Sequence, residues 1–155
     1  MQIRFSATAQ SAAAVVYAFE GDDGPVWTVP ALDLDARTTG GLTRAAADQR
    51  FKGAAGKVLD LPSPAAGLAR VVCVGLGKAA ALDGLGLATA AARAVRALTG
   101  AGLAQVDILM AGAAALDTPA LAAEAAFGAR LAAYRFDSYK TRRKPEDPPK
   151  LDAIV

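Results

Sequence analysis

Two stretches of this chain are apolar almost without interruption, Val15-Val-Tyr-Ala-Phe19 and Val71-Val-Cys-Val74. Runs of this length with no alternation predict strands covered on both faces, and residues 70–75 form the most continuous of them, placed centrally. Residues 2–8 alternate around Arg4 and predict a strand carrying Ile3 and Phe5. Val26–Val29 reads as a further short strand, after a turn over Gly21-Asp-Asp-Gly-Pro25. Lys57–Leu61 is a strand that Pro62 stops, and Val106–Met110 is another. The period lengthens elsewhere. Residues 31–49 are loosely helical, with Leu42, Ala45 and Ala46 on one face and Gly40-Gly41 in the middle. Residues 82–99 make a helix capped by Asp83, with Leu85, Ala88, Ala92 and Val95 as its buried stripe and Gly100 and Gly102 ending it. Thr118-Pro119 starts a helix reaching about Tyr134, with Leu121, Ala125, Gly128 and Leu131 or Ala132 facing inward. Residues 140–149 are a basic, Pro-rich linker, and Leu151–Val155 is the last strand. Strands that alternate with helices from the middle onward predict an α/β fold, its mostly parallel sheet covered on both faces.

Composition narrows the chemistry more than it alters this outline. At 155 residues the chain is one ordinary domain with room for a real core. Its alanine lies mainly in three helical runs. Seventeen basic against 15 acidic residues leave a net charge of +2, no footprint for nucleic acid over the whole surface. Histidine is absent. That removes Ser-His-Asp and Cys-His catalysis, histidine-ligated zinc and imidazole acid–base work. The single Cys73 sits in an apolar run as a small core residue. No apolar run has the length of a membrane span and residues 1–20 lack a signal-peptide pattern, so a cytoplasmic address is expected.

Two constellations are left as candidate sites. Val74-Gly-Leu-Gly-Lys-Ala-Ala80 runs from a strand into G-x-G-x-x-A, the shape in which Gly75, Gly77 and Lys78 would cradle a phosphate at a helix start. Against it, the helix begins near Asp83, and no acidic residue stands where a ribose would need one. Lys140, Arg142, Arg143 and Lys144 form a basic strip that could contact nucleic-acid phosphates, beside Phe136 and Tyr139. Asp22, Asp23, Asp33 and Asp35 sit in turn or helix-start contexts that caps and solvation explain. No set of residues has the spacing of a catalytic or a metal site.

Four phrases in order also carry a resemblance. Leu42-Thr-Arg-Ala45 followed by Phe51-Lys-Gly-Ala-Ala-Gly-Lys57, then Arg70–Lys78, then Leu82-Asp83, and finally Tyr134-Arg-Phe-Asp-Ser-Tyr-Lys-Thr-Arg-Arg-Lys144 are similar to the N-terminal domain of the cytosolic two-metal leucyl aminopeptidases. The resemblance implies a macro-domain-like, three-layer α/β/α fold. In that family two divalent metals, zinc or manganese, and the catalytic residues belong to a C-terminal domain marked by an N-T-D-A-E-G-R-type motif, which is absent here. The resemblance therefore implies an accessory domain cut from a larger exopeptidase, without catalytic or metal residues or cofactor of its own. Its partner would be its own catalytic domain, within a hexameric cytoplasmic enzyme. Two other functions stay open: a self-standing module binding ADP-ribose or another nucleotide through Gly75 and Gly77, and a DNA-contacting accessory domain using the basic strip.

Overall fold

A computed structural model describes residues 2–6, 9, 11–99, 101–110, 118–133 and 153–154. The two apolar runs lie side by side at its centre. β2 (Ala13–Phe19) and β5 (Leu68–Gly75) pair in parallel with Val15 opposite Val72 and Tyr17 opposite Val74. Val15, Val16, Val71, Val72 and Val74 are completely buried, and each such side chain contributes about 1.5–3 kcal/mol relative to exposure. Around them the seven-stranded sheet has the order β1 (Gln2–Ile3), β7 (Ala153–Ile154), β6 (Gln105–Ile108), β2, β5, β4 (Val58–Ala65). Among the described residues, only β4, and β3 (Val26–Trp27) on the flank of β2, run antiparallel to their neighbours. The sheet is therefore mixed and mostly parallel, as expected.

Both faces are covered. Alternate residues of the central strands, among them Val15, Tyr17, Val72, Val74 and Val106, pack with helices α3 (Gly84–Leu98) and α4 (Pro119–Ala133). The others, including Val16, Ala18, Val71 and Cys73, meet α1 (Val29–Arg37) and α2 (Gly41–Asp48). Among the described residues this makes three layers with four α-helices.

Several boundaries move for local reasons. The helical stretch predicted over 31–49 is two helices, because Thr39 and Gly40 both take positive φ (54° and 76°). Asp35 then reaches out of α1 to cap α2, accepting from the Thr43 amide at 3.0 Å and its hydroxyl at 2.6 Å. Pro62 does not stop its strand. β4 continues to Ala65 through a register shift between Pro62 and Ala65, as an edge strand can. The first strand covers only Gln2–Ile3, and Phe5 is 72% exposed. In α3, Asp83 caps as predicted, its Oδ1 accepting from the Gly86 amide at 2.7 Å. Leu85, however, is 75% exposed, and the buried stripe runs through Leu87, Ala91, Ala94, Val95 and Leu98. In α4 it is Ala132, not Leu131, that packs inward. Trp27 is half-buried and stacks on Phe51, with ring centroids 6.3 Å apart.

Candidate functional site

The carboxyl ends of parallel strands are where an open α/β sheet places ligands, and both features of interest lie there. The first is the glycine turn after β5. Its backbone is pressed against the loop 51–56: a Cβ on Gly75 would stand 2.2 Å from the Ala54 carbonyl oxygen, and one on Gly53 2.2 Å from that of Phe19. Gly77 and Gly53 also take positive φ, 75° and 83°. Glycine is needed for this backbone-on-backbone contact. The amides are engaged as well. Gly75 N–H donates to the Lys57 carbonyl at 2.8 Å, Leu76 to Ala18 at 2.9 Å and Gly77 to Gly53 at 2.9 Å. Lys78 is exposed and precedes a short 3-10 turn over Ala79–Ala81, while α3 starts only at Gly84. The turn thus ties the segment 51–57 to the end of β2 with hydrogen bonds already made, and Asp83 occupies the N-terminus of the next helix.

The second feature is a crevice of about 400 Å3 beyond the carboxyl end of β6. Ile3–Ser6, Ile108, Leu109, Met110 and Ile154 wall it along the sheet. Pro30, Asp33, Leu34 and Arg37 of α1 close one side, and Ala122, Ala125 and Ala126 of α4 the other. It exists because β6 and β3 share one flank of β2: β6 pairs with Ala14 and Val15, and β3 with Ala18 and Phe19. Asp107, 1% exposed, contributes to the wall, and its Oδ2 accepts the Ser11 amide at 2.8 Å. The crevice was not foreseen. The signal for it was a single aspartate inside the otherwise apolar run 106–110, which hydropathy alone reads as a plain strand.

The remaining chemistry is structural. Arg70 and Asp60 form a forked pair across β4 and β5, with Nε to Oδ1 at 2.8 Å. The hydrogen bond to Asp60 holds the Arg70 guanidinium above its ordinary pKa. Cys73 is buried in the core, and desolvation pushes its thiol up and away from thiolate chemistry. Among the described residues no three His, Cys, Asp or Glu side chains gather as metal ligands, and no helix is long and apolar enough to cross a membrane. Lys140, Arg142, Arg143 and Lys144 lie outside the described residues, as does the rest of 140–149.

Comparison with known proteins decides the family. The sequence profile of the cytosol aminopeptidase family, N-terminal domain, matches residues 15–143. The chain belongs to the cytosol aminopeptidase family. Its similarity is to the N-terminal part of those enzymes. A "Probable cytosol aminopeptidase" of Caulobacter vibrioides is 40% identical over 147 residues, covering 94% of this chain and 29% of that protein. One from Rhodopseudomonas palustris, strain BisB18, is 36% identical over 162 residues, covering the whole chain and 31% of the relative. The chain thus spans under a third of the length of these cytosol aminopeptidases. Among solved structures, the bottromycin maturation enzyme BotP matches with a TM-score of 0.65 and 26% identity, over 94% of this chain and 27% of that one. BotP has also been solved in complex with Mn. Tomato leucine aminopeptidase, at 16% identity, shares the fold with a TM-score of 0.70, over 99% of this chain and 32% of its own.

Proposed function

We propose that this chain serves as the noncatalytic N-terminal domain of a cytosolic leucyl aminopeptidase. In the complete enzyme a C-terminal domain would remove N-terminal amino acids from peptides with two divalent metals, zinc or manganese. The whole would be a cytoplasmic homo-oligomer, a hexamer by family resemblance. One observation carries this reading: the match runs through nearly the whole chain, yet accounts for under a third of each cytosol aminopeptidase relative. Within it, the Gly75–Lys78 turn is a packing device, because the amides that would bind a phosphate already donate to carbonyls of the chain. Any DNA contact would fall to Lys140, Arg142, Arg143 and Lys144.

Two measurements on the purified chain test this. Leucyl substrates with added manganese or zinc should show no turnover above a buffer blank, and metal-dependent hydrolysis would overturn the noncatalytic assignment. Titration with ADP-ribose should leave the amide signals of Gly75, Gly77 and Lys78 unshifted. Saturable shifts there would transfer the preference to a nucleotide-binding module.

A further inference from the structure

We infer that the crevice beyond β6 is the seat of the polypeptide that continues past β7 in the longer aminopeptidases, so that this edge of the sheet is the docking surface for the peptidase domain. The inference rests on the reading of the chain as an N-terminal domain. Four observations support it. First, β7 runs parallel to both β1 and β6, so chain leaving Ile154 emerges at the carboxyl edge of the sheet, and Ile154 itself lines the crevice. Second, the family match is to an N-terminal domain and the relatives are about three times as long as the matched part, which puts the larger share of their polypeptide beyond this point.

Third, the lining suits an apolar segment better than a polar ligand. Pro30, Leu34, Ile108, Leu109 and Met110 dominate it, while Arg4 donates to Gln2 at 2.8 Å and the Asp107 carboxylate takes the Ser11 amide. Fourth, Phe5 on the crevice wall is 72% exposed. A large apolar side chain left in water beside an apolar crevice suits an interaction surface, and a covering segment of the same polypeptide removes it from water with little loss of freedom.

The test places a cysteine at Phe5 or Ser6, two exposed residues of the crevice wall, and as controls at the bare Leu85 or Phe127 of the α3/α4 layer. Buried Cys73 provides an unreactive background. Maleimide labelling is timed in the 155-residue chain and in the same chain joined in register to the remainder of the Caulobacter vibrioides relative. Positions 5 and 6 should label about tenfold more slowly in the joined protein, while 85 and 127 change less than about twofold, because thiol reactivity follows exposure. Equal rates at 5 and 6 in an active joined enzyme, compared with the short chain, would overturn the surface assignment and leave the domain reading standing. A joined protein that hydrolyses nothing and melts as two independent units would overturn the domain reading itself. Saturable ADP-ribose shifts at Ile108–Met110 would give the crevice to a small ligand instead.

Discussion

Tyr17 stands in the middle of β2, wholly buried, and its hydroxyl finds no hydrogen-bond partner among the described residues. Desolvation, with a smaller contribution from Cys73, pushes its pKa up, and desolvation does the same to Cys73. The consequence is a stability that fails at alkaline pH. In the unfolded chain the thiol ionises near pH 8.5 and the phenol near 10, about their ordinary values. Folded, both hold their protons to higher pH, so above about pH 8.5 the folded state binds more protons and stability falls as pH rises. Below that pH the contribution is fully present. Denaturant midpoints at several pH values should show this decline, and Cys73→Ala should postpone its onset to about pH 10, where the phenol takes over. Tyr17→Phe should raise stability at neutral pH by about 1 kcal/mol, since it removes an unsatisfied buried hydroxyl and leaves the ring. A loss of stability in that variant would mean the hydroxyl has a partner after all.

At the scale of elements, contact between helices depends on the absence of side chains. A Cβ on Gly128 would lie 1.9 Å from the Ala88 carbonyl oxygen, so α3 and α4 touch through backbone, with Ala125 and Ala129 beside the contact. Gly128→Ala should therefore force the helices apart and cost about 3 kcal/mol by overpacking. Gly24→Ala, where a Cβ meets nothing within 4 Å, should stay within about 0.5 kcal/mol. Equal melting temperatures for the two variants would contradict the packing described. These helices also show how far sequence patterns reach. Caps were legible, because Asp83 and Thr118 act on amides three residues away, within reach of pattern reasoning. Gly128 was legible as inward-facing. The exposure of Leu85 was not, because in an alanine-rich helix many small residues fit either face. Only the packing partner decides which stripe turns inward. Gly40-Gly41 marked the weak point of the 31–49 stretch, but the threonine beside it at positive φ has no composition signal, so the full break did not show.

For the molecule as a whole, the order of elements gave the layers and the parallel sheet but not the neighbours. Pairing across the sheet joins residues about 150 positions apart, Gln2 with Ala153 and Ile3 with Ile154, and nothing local announces it. The crevice shares that origin, since it is made where strand ends from both termini meet. The family match stops at residue 143 and starts at 15, outside β7 and β1. Yet β7 lies between β1 and β6, with Ala153 and Ile154 buried and Arg4 donating to the Ile154 carbonyl at 2.9 Å. β7 is therefore a member of the same sheet as β6 and β2. Removing residues 151–155 should strip β1 of its ladder and open the flank of β6. We expect a loss of about 3 kcal/mol or more, in the range seen when buried packing and hydrogen bonds go together. Hydrogen exchange should quicken at residues 105–108, while Val71–Val74, between β2 and β4, stay slowest because they open only with global unfolding. An unchanged melting temperature in the shortened chain would show that the terminal strand is an appendage, and the sheet would then end at β6.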